Sequence, residues 1–249
     1  MESSSADVSG GQARQMSEVG RITGVFWEPG PVFENLAAVP RWWVPLILAI
    51  ILAVIYVASF GEIVGWDTFL EQELAANSRV QQLPAEQQQQ IIQQQKGFVG
   101  IFSYGGALLG TAGTLLVISG VLLLCFKISG AGELSFRQAF SVTTYSWLPF
   151  SLYQVLSIIA LYFTNPADFN LRNPLPFNVG WFLDPASSPA WLVSALTSID
   201  IFSFWVMALM ALGFSAAARK IGYGKAFSEI FFVWLGYVIV KAGWAALFG

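Results

Sequence analysis

Residues 194–214 read SALTSIDIFSFWVMALMALGF. A helix needs about 20 mostly apolar residues to cross the hydrocarbon core of a bilayer, and this stretch has the length and composition to do so. Asp200 interrupts it. A charged side chain at mid-membrane costs roughly 2.5–3.5 kcal/mol on insertion scales, so the stretch implies both a membrane and something that stabilises a carboxylate within it.

Four other stretches share its character. The hydrophobic runs place membrane spans at 43–60, 98–126, 139–163, 190–217 and 227–248. Of the 249 residues, 55% are hydrophobic and 11% charged, against about 25% charged in soluble domains. So few charges do not cover the surface of a soluble fold. The expected fold is all-α: a polytopic membrane protein built as a bundle of five transmembrane helices.

The first 20 residues are polar and lack the apolar core of a secretory signal, which predicts a disordered tail over 1–20 and a single transmembrane domain over 21–249. In RITGVFWEPGPVFENLAAVPRWWVP, residues 21–45, apolar side chains are interrupted by Pro29, Pro31 and Pro40. That pattern predicts short interfacial helices lying on the membrane, with Trp42 and Trp43 anchoring the first span.

Lys and Arg beside the spans set orientation. Arg14, Arg21 and Arg41 precede span one, Lys127 and Arg137 lie between spans two and three, and Arg219, Lys220 and Lys225 between four and five. The opposite loops hold Arg79, Lys96 and Arg172. The excess predicts a cytoplasmic N-terminus and an external C-terminus. The glutamine-rich segment before span two reads as a helical extension of it, and the Pro- and Asn-rich loop after span three as a segment packed on the membrane surface.

Three features inside the spans are candidate sites. Asp200 lies ten residues into span four, about 15 Å deep at 1.5 Å per residue. Lys241 lies at similar depth in the neighbouring antiparallel span, so the two are expected to form an intramembrane charge pair, the alternative being that Lys241 snorkels outward and leaves Asp200 protonated or bonded to hydroxyls such as those of span three. Gly106, Gly110, Gly113 and Gly120 form a small-residue stripe on span two, which reads as close packing against another helix, with a homodimer face as the alternative. Pro149 removes a donor and frees the carbonyl of Tyr145, predicting a kink in span three.

Other chemistry is sparse. There is no histidine, and Cys125 is the sole cysteine. No metal-ligand spacing, phosphate-cradling loop or nucleophile with a base is present. No catalytic, cofactor-binding or metal residue is therefore assigned, no cofactor is implied, and an enzyme is disfavoured. A net charge of −3 gives no reason to expect nucleic acid as a partner.

Several segments carry a resemblance as an ordered set: FWEPGPVFENL and PRWWVPL before span one, GELSFRQAF and YSWLP in span three, SIDIFSFW and ALGFSAAARKIGYGKAFSEI across spans four and five. From about residue 22 onward the chain resembles the Yip family of five-span membrane proteins, particularly its bacterial members. The resemblance implies five helices, a cytoplasmic N-terminus and residence in a bacterial cytoplasmic membrane. Eukaryotic members bind Rab-type GTPases and organise membranes in vesicle traffic. Their Asp-Leu-Tyr-Gly-Pro motif before the first span is replaced here by Glu34-Asn35-Leu36 and scattered prolines.

Two functions follow. The first is a membrane-organising scaffold that contacts lipid and other membrane proteins, or a second copy of itself. The second is a small transporter or permease component using a polar site near Asp200 and the Pro149 kink. A cavity facing Asp200 separates them.

Overall fold

Ser17 caps the first helix, its Oγ accepting from Gly20 N at 3.1 Å. The computed structural model describes residues 16–76, 80, 82–166, 169–171, 173–184 and 187–248. Most of the expected N-terminal tail, and with it Arg14, Arg79 and Arg172 of the charge count, lies outside the described residues.

Helix α1 (Glu18–Trp27) and helix α2 (Pro29–Ala38) form an antiparallel pair, with Pro29 in the first turn of α2, where its missing N–H costs nothing. They meet so closely that a Cβ at Gly24 would stand 2.6 Å from Val32 Cγ2. The pair packs into the bundle. Val32, Phe33 and Leu36 are fully buried and wedge α2 against the later helices.

Helix α3 (Trp43–Ile63) is the first span. Gly65, with φ of +81°, turns the chain into α4 (Trp66–Ala76), a conformation glycine adopts without a Cβ clash. The ring of Trp66 then fills a notch beside Gly61 and Gly100. The second span is one run over Ala85–Ile128, made of α5 (Ala85–Gly105), a π-helical segment (Gly106–Gly110) and α6 (Thr111–Ile128). The glutamine-rich residues are its first turns. Gly130, with φ of +105°, closes α6 in a Schellman-type cap, Ala131 N donating to Phe126 O at 2.9 Å.

The third span covers Phe136–Phe163. A capping box between Ser135 and Gln138 starts α7 (Phe136–Ser146), the chain breaks helical register at Trp147, and α8 (Leu148–Phe163) continues with Pro149 in its first turn. Gln138 Nε2 also donates to Ala37 O at 2.9 Å, fastening the end of α2 to the start of α7.

The fourth stretch departs most from expectation. Residues 190–217 are not one helix: α9 (Ala190–Leu196) stops, Thr197 and Ser198 form a turn, Asp200 is extended, and α10 (Ile201–Ala218) starts afresh with Asp200 as its N-cap. Backbone groups freed by the break are satisfied by the preceding loop. Asn178 forms an antiparallel bridge with Asp200, Val179 N donates to Ile199 O at 3.1 Å, and Ile201 N donates to Phe177 O at 3.3 Å. Irregular backbone at membrane depth is tolerated where protein covers it or a cavity adjoins it. Gly180 makes the approach possible, since a Cβ there would lie 2.7 Å from Thr197 N. Helix α11 (Tyr223–Phe248) is the fifth span.

The core forms around α10, which contacts α2, α7, α8 and α11. Half of its spanning window is buried, against 11% for α11 and 17% for the α5–α6 run. Phe214 stacks on Phe126 with ring centroids 4.5 Å apart. Gly213 lets Val142 and Phe33 in so closely that a Cβ would stand 2.4 Å from Val142 Cγ1. A smaller cluster of Phe60, Val64, Leu161 and Phe169 closes the other end of the bundle.

Candidate binding cleft and the buried charges

Helices α6 and α11 diverge beside α10 and leave a cleft of about 850 Å³. Its walls are apolar over most of their area, with Val117 and Val121 from α6, Met207 and Met210 from α10, and Val233 and Trp234 from α11. One end differs, being lined by Ser198, Asp200, Ser203 and Lys241. Trp147 and Phe150, at the α7–α8 break, separate the cleft from a second cavity of about 390 Å³.

Asp200 owes its place to the broken helix. Its Oδ1 accepts from Ser203 N at 2.8 Å and its Oδ2 from the Ser203 hydroxyl. A carboxylate at an N-cap satisfies a free helix N–H and sits at the positive end of the helix dipole. Helix α10 has 18 residues, about 27 Å at 1.5 Å per residue, so Asp200 stands at one end of the span's helix and not about 15 Å inside it.

Lys241 Nζ donates to Ser198 Oγ at 2.9 Å, and Ser198 Oγ donates on to Ser194 O at 3.0 Å. Among the described residues no ion pair joins Lys241 to Asp200. In place of the expected direct charge pair stand two charges lining the same cleft, each bonded to its own serine. The reason is local: capping α10 aims the carboxylate at its own helix, and Ser198, two residues earlier, takes the ammonium's bond.

The glycine stripe also differs from expectation. A Cβ at Gly106, Gly110, Gly113 or Gly120 would meet no atom within 4 Å, so no neighbouring helix packs tightly on them. The π-helical segment at 106–110 shifts side-chain register, as inserted π turns do, and a stripe drawn at regular α spacing is not kept on one face. Gly113 lines the cleft instead.

The second cavity is more polar. Tyr56, Ser151, Gln154 and Ser157 line it with Thr111 and Thr114. Among the described residues, Tyr56 Oη and Ser151 Oγ find no hydrogen-bond partner, and buried hydroxyls of that kind are ordinarily met by water or a solute.

A third polar site, at the end of the bundle where the N-terminal helices sit, was not read from the sequence. Arg21, counted there as a flanking positive charge, is 1% exposed. Its Nε and Nη2 donate to Asn35 Oδ1 at 3.0 and 2.7 Å, and its Nη1 lies 3.3 Å from Glu18 Oε1. Glu18 also pairs with Arg41 at 3.1 Å and accepts from Tyr145 Oη at 2.5 Å. One signal existed: Arg21 lies one helical turn before Val25, on the apolar face of α1. Nearer the same end, Lys225 Nζ donates to Ser129 O at 3.1 Å and lies 4.0 Å from Glu229 Oε1.

Comparison with known proteins is consistent with this architecture. The Yip1 domain family matches residues 23–247. The chain is similar to "Membrane protein YknW" of Bacillus subtilis (strain 168), with 29% identity over 192 residues, covering 77% of this chain and 76% of that one. No solved structure matches.

Proposed function

The chain belongs to the Yip1 domain family, and from that premise we propose that it is a non-enzymatic membrane-organising protein that binds other membrane proteins through its outer helices. The carrying observation is the uneven burial of the spans, 50% for α10 against 11% for α11 and 17% for α5–α6. Leu109, Val117 and Leu124 on the second span, and Phe232, Ile239 and Trp244 on α11, are exposed. Gly106 and Gly110 leave open space beside the second span, where a partner helix or a second copy gains close van der Waals contact that lipid does not supply. The N-terminal helices, held by Arg21 and Tyr145, add a rigid platform. The proposed setting is a bacterial cytoplasmic membrane with the platform on the cytoplasmic side and the C-terminus outside.

Photoreactive side chains placed at Leu109 and at Val240, with fully buried Phe214 as control, test this in native membranes. Discrete protein adducts from the two outer positions are expected. Adducts to lipid alone at both positions overturn the reading.

A second reading, a small transporter component, draws support from the cleft that Asp200 lines beside the break at Trp147. It ranks lower because the cleft walls are mostly apolar and offer a polar solute little to replace its water. Solute uptake in liposomes that disappears with Asp200→Asn is the result that would reverse the order.

A further inference from the structure

We propose that the cleft between α6, α10 and α11 binds a zwitterionic glycerophospholipid, its headgroup phosphate on Lys241, its headgroup amine on Asp200, and one acyl chain laid between α6 and α11. This goes beyond the organising role and does not depend on it.

The cleft has two chemical ends, as an amphiphile does. Lys241, Asp200, Ser198 and Ser203 gather at one end, and the rest is lined by side chains such as Val117, Val121, Met210 and Val233. Lys241 and Ile230 both line it and are eleven residues apart on α11, about 16 Å at 1.5 Å per residue. That length accommodates much of an extended acyl chain. A volume of about 850 Å³ falls within the roughly 300–1,000 Å³ of pockets that hold drug-sized ligands, so one chain enters while the other stays in the bilayer. The rim permits this, since Val117 and Tyr237 line the cleft and are 65% and 61% exposed.

The charges select the headgroup. An ammonium has three donors, and Lys241 spends one on Ser198. A carboxylate offers about four acceptor sites, and Asp200 uses two on Ser203. Both charges therefore keep unused capacity at the same end of the cleft. A phosphate with a tethered amine complements both. A net anion meets Lys241 but is repelled by Asp200, and an apolar helix from a partner would bury both charges with their remaining donors and acceptors unmet.

The test uses the full chain in lipid nanodiscs containing a phosphatidylethanolamine with a photoactivatable group near the end of one acyl chain. Adducts are expected on peptides covering 113–122 and 230–241. Unlabelled phosphatidylethanolamine should compete on the order of tenfold better than phosphatidylglycerol, because the anionic lipid faces Asp200 unpaired. Val117→Trp, which fills the cleft, and Lys241→Met should each lower the labelling several-fold. Ile239→Trp, on an exposed face of α11, should leave it unchanged. If Lys241→Met does not fold, Val117→Trp, checked by an unchanged size-exclusion profile, decides alone. Label spread evenly over the outer faces overturns the site, as does an adduct between two copies within the cleft. Equal competition by phosphatidylglycerol overturns the headgroup assignment. The organising role is read from Leu109 and Val240 outside the cleft, so its failure is seen separately.

Discussion

The two ends of the bundle both hold charges inside a membrane protein, and they do so in opposite ways. At the platform end, Arg21, Glu18, Asn35, Arg41 and Tyr145 form one connected set in which the guanidinium donates to Asn35 and lies against Glu18. At the other end, Asp200 and Lys241 each bond a serine at or beside the helix break, with no ion pair between them among the described residues. The first set joins α1, α2 and α7, closing a contact between elements far apart in sequence. The second borders a cleft. A saturated network serves cohesion, whereas charges with spare hydrogen-bonding capacity beside a cavity are available to something else.

If that contrast holds, the largest loss of stability comes from Arg21. Replacing it with Met removes two charge-assisted bonds to Asn35 Oδ1 and the contact with Glu18 from a side chain that is 1% exposed, and at about 1.5–3 kcal/mol for a hydrogen bond to a charged group a loss of about 3 kcal/mol is expected. Arg21→Lys should recover little of it, because an ammonium lacks the planar fork that reaches two acceptors at once. Thermal unfolding in detergent measures both. A change in midpoint no larger than that of an exposed-site control would mean that the platform end is as loosely held as the cleft end.

Tyr145→Phe sharpens the comparison at intermediate size. It removes the hydroxyl bonded to Glu18 while keeping the fully buried ring. Hydrogen bonds to charged groups contribute about 1.5–3 kcal/mol, and Glu18 keeps Arg21 and Arg41, so a loss near the lower figure is expected. The same melting experiment reports it. No change would detach α7 from the network.

The number and type of the spans were legible because hydrophobic length is a one-dimensional property that the bilayer reads directly. The platform network was not legible, since Arg21 looks like any flanking basic residue until α2 folds back and brings Asn35 to it. The broken fourth span was hidden for a related reason. Residues 190–217 are apolar enough for one helix, and what stops it is the approach of 177–179 to 199–201, made possible by Gly180. Asp200 in SIDIFSFW carried the signal in another guise: an Asp three residues before Ser203 is an N-cap pattern as much as an intramembrane charge. The internal-packing reading of the glycine stripe failed because a π turn has no sequence signature at regular α spacing.

The smallest effects belong to Asp200 and Lys241, and they test whether the cleft end lacks a direct ion pair. Asp200→Ala removes the N-cap and should cost about 1 kcal/mol, within the range of about 0.5–2 kcal/mol for cap deletions. Asn is an equally good cap, so Asp200→Asn should cost less. Combining Asp200→Asn with Lys241→Met then isolates the coupling between the two charges. Residues in one network show interaction energies of about 0.5–3 kcal/mol, while independent sites add within about 0.3–0.5 kcal/mol. With the ammonium on Ser198 and the carboxylate on Ser203, the double variant should equal the sum of the single ones within that smaller margin. Mutual rescue in the double variant would instead show that the carboxylate leaves its cap to meet Lys241, and the cleft end would then be a second cohesive network like the first.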